Sequence, residues 1–166
     1  MRAGIALGSN LGDRLANLKA ARAQLASLPQ IEGPLLGSAV YETEPVGCEP
    51  GAPKFLNAVI EVGFRGEARA LLSELRGIEM ALGRSAEHSR NTSRTLDLDL
   101  LYFGATQIAE PGLQLPHPRM HQRRFVLAPL NDIRPDLILP SQSETVATLL
   151  SRLPAMPSLV RFATEW

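Results

Sequence analysis

Apolar positions along this chain switch between two periods, and each switch predicts an element. Residues 3–8, AGIALG, are a short apolar run that reads as a strand, and SNLGDR then turns the chain. Leu15, Leu18, Ala21, Leu25 and Leu28 recur at helical spacing, which predicts an amphipathic helix over 13–28, ended with the help of Pro29. GSAVYET (37–43) has strand character, and EPVGCEPGAP (44–53) reads as a long loop. FLNAVIEVGF (55–64) is a strand with Leu56, Ala58, Ile60, Val62 and Phe64 on one face and Phe55 and Asn57 on the other. Ala68, Leu71, Leu72, Leu75, Ile78 and Leu82 form the stripe of a second helix, capped by Gly83. A polar, aperiodic loop over 84–93 leads into a strand over 94–103 and a short strand near 106–108. A helix follows over 119–131, which Pro129 bends or ends, and a last one over 143–153 behind a Ser141/Glu144 capping box.

Through residue 103 the order is strand, helix, strand, strand, helix, strand. That is the split βαβ, ferredoxin-like arrangement: an α+β fold with a βαββαβ core, an antiparallel sheet and helices on one face. The C-terminal third is expected to add to this core. At 166 residues, without a repeat or linker, one domain over 1–166 is expected.

The segment RTLDLDLLYFG (94–104) carries the chemistry. Strand alternation puts Asp97 and Asp99 on one face and Leu96, Leu98 and Leu100 on the other. Same-face neighbours lie roughly 7 Å apart, so two bare carboxylates repel and raise each other's pKa. Taken alone, the pattern suits a solvated strand face, apolar inward and charged outward. It also suits a Mg²⁺ site, since that ion takes one or two carboxylates and fills its remaining positions with water and phosphate oxygens.

Charge and composition narrow the field. The formal net charge is zero, which disfavours a general nucleic-acid binder. No apolar stretch approaches the ~18 residues of a membrane span, and the N-terminal run is too short for a signal peptide. Cys48 is the only cysteine, so no internal disulfide forms and a cytoplasmic protein is expected. Only Lys19 and Lys54 are lysines; the other basic residues are arginines. Arg84, Arg90 and Arg94 precede the aspartates, and Arg119, Arg123 and Arg124 follow them, near His117 and His121. The chain has no GxxxxGK[ST] loop, and GIALGSNLGDR does not fit GxGxxG. A bound polyphosphate would therefore rest on arginines, whose forked guanidinium groups suit it. Prolines on both sides stiffen His117 near such a phosphate. The histidines show no zinc-ligand spacing, and Ser9 and Cys48 lack a base partner for covalent chemistry.

Five segments then fall in a familiar order: ALGSNLGDR (6–14), YETEPVG (41–47), FLNAV (55–59), RTLDLDLLYFG (94–104) and LPHPRMHQRRFVLAPL (115–130). Over nearly all its length the chain resembles the 6-hydroxymethyl-7,8-dihydropterin pyrophosphokinases of folate biosynthesis. The resemblance implies a ferredoxin-like enzyme that transfers pyrophosphate from ATP to the pterin hydroxymethyl group and releases AMP, using two Mg²⁺ ions. It implies that Asp97 and Asp99 bind magnesium. It assigns Glu79, Arg84, Arg90, Arg94, His117 and Arg123 to ATP, with Arg84 and Arg94 sharing in catalysis. It assigns Thr43, Pro45, Val46, Phe55, Asn57 and Phe125 to the pterin. A flat ring sandwiched by Phe55 and Phe125 and read by the Asn57 amide fits those residue types. The loops 44–53 and 84–93 would act as lids. The sequence departs from many members at Ala86, where a second arginine is common, and at Asn91-Thr92-Ser93, where a Gly-Pro pair is common. A monomer that binds neither nucleic acid nor membrane is expected.

Two other readings compete, and the first shares this order of elements. An RNA-recognition domain would carry an aromatic-rich signature on the open face, which neither FLNAVIEVGF nor RTLDLDLLYFG has. A nucleotide-sensing domain would bind ATP without turning it over.

Overall fold

The computed structural model describes residues 1–45, 51–83, 94–140, 142–156 and 158–166. Its core elements are β1 (Arg2–Ser9), α1 (Arg14–Ala26), β2 (Ile31–Gly37), β3 (Val40–Thr43), β4 (Phe55–Phe64), α2 (Ala68–Ala81) and β5 (Asp97–Phe103). A two-stranded ribbon follows, β6 (Ile108–Glu110) with β7 (Leu113–Leu115), then a 3-10 turn at Met120–Gln122, α3 (Arg124–Ile133), α4 (Val146–Arg152) and β8 (Leu159–Ala163). The sheet runs β5-β1-β4-β3-β8, all antiparallel, and β2 pairs with β4 beyond the end of β3. This is the ferredoxin-like core with an added edge strand. Among the described residues, no helix is long and apolar enough to cross a membrane.

Local chemistry explains the helix limits. The Asp13 side chain accepts from the Ala16 N–H at 3.0 Å and starts α1, which buries Leu18, Ala21 and Leu25. Gly83, at φ +95°, takes the left-handed conformation just past α2. Both helices pack on one sheet face, over Ile5, Leu7, Leu56, Ile60 and Leu98.

The other face is not open along its whole length, as one-sided helices would require. Val59, Leu101 and Tyr102 form a second apolar cluster with Val126, Leu127 and Leu130 of α3 and Val146 of α4. A bulge in β5 builds it. Gly4 pairs with Tyr102 and Ile5 with Leu100, so Leu101 is extra, and Leu101 and Tyr102 both face α3. The cluster covers the far half of this face and leaves the near end, with Asp97 and Asp99, as the wall of a cleft.

Other limits differ from the sequence expectation. The strand expected at 37–43 is two strands, because Ser38 and Ala39 interrupt the ladder and β2 begins at Ile31. The aspartate strand joins its ladder at Asp97, three residues later than the pattern suggested. The helix expected at 119–131 opens as a 3-10 turn, and α3 runs past Pro129 to Ile133. Thr145, not the Ser141/Glu144 box, caps α4, accepting from the Thr148 N–H at 3.2 Å; Ser141 lies outside the described residues. The short strand is at 108–110, and β7 and β8 are additions that no periodicity signalled.

Candidate active site

The cleft is built around the start of β5. Before the strand begins, the first turn of the chain holds its backbone. The Asn10 N–H donates to the Arg94 carbonyl at 3.1 Å, and the Arg94 N–H donates to Asn10 Oδ1 at 2.7 Å. Asn17 Nδ2 donates to the Thr95 carbonyl at 3.1 Å. From this anchored position the Arg94 guanidinium donates to Asp97 Oδ1 at 2.8 Å. The Arg94 side chain is 14% exposed and that of Asp97 29%, so the pair faces the cleft and not bulk water.

Asp99 lies on the same strand face. Burial and the neighbouring Asp97 charge push its carboxyl above the ordinary range, against the pull of His117, Arg123 and Arg94. Arg123 Nη1 lies 3.8 Å from Asp99 Oδ2, and its guanidinium sits 5.5 Å from the centre of the Phe125 ring. The His117 backbone N–H donates to Leu101 O at 2.7 Å, locking the PHP segment to β5. His117 Nδ1 accepts from the Arg119 N–H at 3.2 Å, so the neutral ring carries its proton on Nε2. Burial holds the imidazole below its ordinary pKa, opposed by Asp99 and reinforced by Arg123 and Arg119.

The opposite end of the cleft comes from β3, β4 and α3. Asn57 Nδ2 donates to Thr43 Oγ1 at 2.8 Å, so the amide is held in one orientation. A Cβ at Gly8 would meet Asn57 Oδ1 at 3.4 Å, and glycine there leaves the floor beside the amide open. Phe55 and Phe125 line the same cleft, whose volume is about 880 Å³. That is toward the upper end of the ~300–1,000 Å³ usual for small-molecule sites.

Thus Thr43, Phe55, Asn57, Glu79, Arg94, Asp97, Asp99, His117, Arg123 and Phe125 share one cleft wall. Pro45 does not line it. Arg84, Arg90 and Val46 lie outside the described residues, as do Cys48, Ala86, Asn91, Thr92 and Ser93. Glu79 has a structural task as well. Its buried carboxylate accepts from the Leu98 N–H at 2.7 Å, a strand-edge donor facing away from β1. Sequence reasoning did not place Gly8, Arg76, Gln114 or Arg119 in the site, yet all line the cleft. Arg119 had a signal in its position beside His117; Arg76 and Gln114 had none. Arg124, without an evident role in the sequence, reaches the Leu153 carbonyl at 3.5 Å and ties α3 to the end of α4.

Among the described residues no group of three or more His, Cys, Asp or Glu comes together as a metal cluster. The two aspartates offer two hard oxygen donors on one strand face, and burial, followed by the Asp97 charge, raises the Asp99 carboxyl. This donor set fits Mg²⁺ that completes its shell with water and phosphate oxygens.

Fold and cleft together define a class: a ferredoxin-like α+β protein whose small-molecule cleft carries two carboxylates among arginines. Comparison with known proteins makes it particular. Residues 4–135 match the family described as 7,8-dihydro-6-hydroxymethylpterin-pyrophosphokinase. The chain is 39% identical over 152 residues to the 2-amino-4-hydroxy-6-hydroxymethyldihydropteridine pyrophosphokinase of Methylorubrum extorquens, covering 92% of this chain and 93% of that one. It is 44% identical over 129 residues to the Bacillus subtilis protein of the same name, covering 78% and 75%. A Plasmodium falciparum HPPK-DHPS structure with pteroate matches with a TM-score of 0.69 at 15% identity, over 90% of this chain and 42% of that longer one, a likeness of fold. The chain belongs to the 7,8-dihydro-6-hydroxymethylpterin-pyrophosphokinase family. It is an enzyme, a pyrophosphokinase of folate biosynthesis, and the RNA-recognition and sensor readings fall.

Proposed function

We propose that this enzyme transfers the pyrophosphoryl group of ATP to the hydroxymethyl oxygen of 6-hydroxymethyl-7,8-dihydropterin, releases AMP, and works with two Mg²⁺ ions held by Asp97 and Asp99. The observation that carries the reading is one cleft with two chemically distinct ends. At one end Asp97, Asp99, Arg94, Arg123 and His117 supply donors and acceptors for metal and polyphosphate. At the other, an oriented Asn57 amide stands with Phe55 and Phe125, suited to a flat heteroaromatic ring.

When bound, the magnesium ions supply charge neutralisation and polarise the phosphoryl oxygens. The chain's own residues do the rest. Arg94 and Arg123 hold phosphate oxygens in forked hydrogen bonds and oppose charge that builds up in transfer. The His117 Nε2–H donates to a phosphate oxygen without carrying a charge of its own. Asn57, fixed by Thr43, reads the amide edge of the pterin, and Phe55 and Phe125 stack on it. Binding both substrates in one cleft brings the hydroxymethyl oxygen to the β-phosphorus, so positioning supplies much of the rate. Arg84 and Arg90 belong to the ATP site and Val46 and Pro45 to the pterin side in this reading. The whole chain acts as one pyrophosphokinase domain, a cytoplasmic monomer.

Incubation with MgATP and 6-hydroxymethyl-7,8-dihydropterin tests the reading. Pterin-dependent AMP supports it; AMP without pterin, or no AMP, overturns it.

A further inference from the structure

The sequence assigns the residues of SNLGDR no individual task beyond turning the chain. The structure shows where its polar groups go. Asn10 is 1% exposed, and its backbone and side chain form a two-bond bracket on both backbone groups of Arg94, at 3.1 and 2.7 Å. The same side chain turns its Nδ2 the other way and donates to the Pro53 carbonyl at 3.3 Å, two residues before Phe55. One turn of α1 further on, Asn17 Nδ2 contacts Ser9 Oγ, the Leu11 carbonyl and the Thr95 carbonyl, at 3.2, 3.0 and 3.1 Å. The chain at 94–95 lies before the β5 ladder, which starts at Asp97, so sheet pairing does not place it.

We infer that Asn10 is a positioning residue of the pyrophosphokinase reaction: it holds the Arg94 backbone so that the guanidinium is presented to Asp97 and to the phosphates, and ties that position to the segment leading to Phe55. The physical reason is geometric. Arg94 has a long, flexible side chain, and its reach is defined only if its Cα is held. An asparagine can hold both sides of one junction because its amide carries an acceptor and a donor on one rigid plane. Asn10 touches no substrate in this scheme and acts through Arg94. The inference rests on the proposed reaction, and a wild-type protein without pterin-dependent AMP formation would remove that reading first, before any Asn10 variant is judged.

The test is a double-mutant cycle in turnover. Asn10→Ala should lower kcat by roughly tenfold to a hundredfold, the scale expected for a misplaced catalytic group, with a smaller change in pterin KM. Added to Arg94→Ala it should cost little more, because the group it positions is already gone; added to Phe125→Ala it should be close to additive. Asn10→Asp keeps the acceptor for the Arg94 N–H and should recover part of the turnover lost in Asn10→Ala. A purely structural role would lower the unfolding temperature while leaving kcat per folded molecule unchanged, and would combine additively with Arg94→Ala. Either result overturns the inference, as does an aspartate variant no better than alanine. If Asn10→Ala does not fold, Asn10→Ser, whose hydroxyl is too short to span to Arg94, enters the same cycle with the same outcomes.

Discussion

Arg94 Nη1 lies 2.8 Å from Asp97 Oδ1, so the first charged group of the segment neutralises the second before any substrate arrives. Among the described residues, the cation that approaches Asp99 is Arg123, and only to 3.8 Å. The unequal pairing gives the two aspartates different physical states on one strand face.

Asp97→Ala and Asp99→Ala should each abolish AMP formation while the circular dichroism spectrum stays that of a folded protein. Asp99→Asn should raise the unfolding temperature in chelator slightly, because burial and the Asp97 charge raise the carboxyl and set its charged form against folding at neutral pH, an effect that water reduces at a side chain 40% exposed. Near-normal turnover in either alanine variant would remove the metal assignment.

Arg94→Ala should slow turnover by roughly a hundredfold or more, the scale seen when one preorganised donor to developing charge is lost. Pterin affinity, measured by titration, should change far less, because Asn57 and Thr43 stand at the other end of the cleft. A parallel loss of pterin binding would contradict the division of the cleft.

Thr43→Val should weaken the pterin side through Asn57. The valine cannot accept the Asn57 Nδ2–H bond, and the buried amide loses its fixed orientation. A rise in pterin KM of roughly tenfold is expected, with kcat less affected. An unchanged KM would show that Asn57 does not read the ring.

His117 should be neutral at pH 7 with its proton on Nε2. Burial holds its pKa below the ordinary value, and Nδ1 is occupied by the Arg119 N–H. A nitrogen-15 spectrum of the imidazole measures this directly, and a dominant Nδ1–H form would contradict it.

Glu61 should dominate acid stability away from the cleft. It is 2% exposed and accepts from Arg2 Nε at 2.7 Å, Arg134 Nη2 at 2.6 Å and the Tyr102 hydroxyl at 2.6 Å. Burial pushes its carboxyl up, but the bonds from Arg134 and Tyr102 and the Arg2 charge outweigh it and hold the pKa low. A depressed folded-state pKa gives stability that is complete above the unfolded carboxyl range and is lost as pH falls through the folded value. Glu61→Ala should cost about 3 kcal/mol, toward the low end for a broken buried pair because both arginines are partly exposed. Denaturant unfolding at several pH values measures both effects.

How much of this was legible beforehand varies by residue. β4 was readable in full, because Leu56 through Phe64 alternate against one core and the strand is central. The Asp97–Asp99 pair was visible as a pattern, but that pattern also suited a solvated face. Glu61 was not legible at all. It sits on the β4 face that carries Phe55 and Asn57, and only α3 folding over that face buries it against Arg134. β2 was missed because Gly33, Pro34 and Gly37 break its alternation.

By itself the sequence determined the kinds of element and the family of the chain. Side-chain periodicity is a local property, and the matching segments stand as unbroken runs. The tertiary structure alone decided which face stayed open, how the β5 bulge turned Leu101 and Tyr102 toward α3, and how Arg94 came to rest beside Asp97. The bonds responsible join residues far apart in the chain, Asn10 to Arg94 across 84 positions and Asn17 to Thr95 across 78. No local pattern encodes such a contact, because it exists only after the sheet has brought the first turn and the start of β5 together.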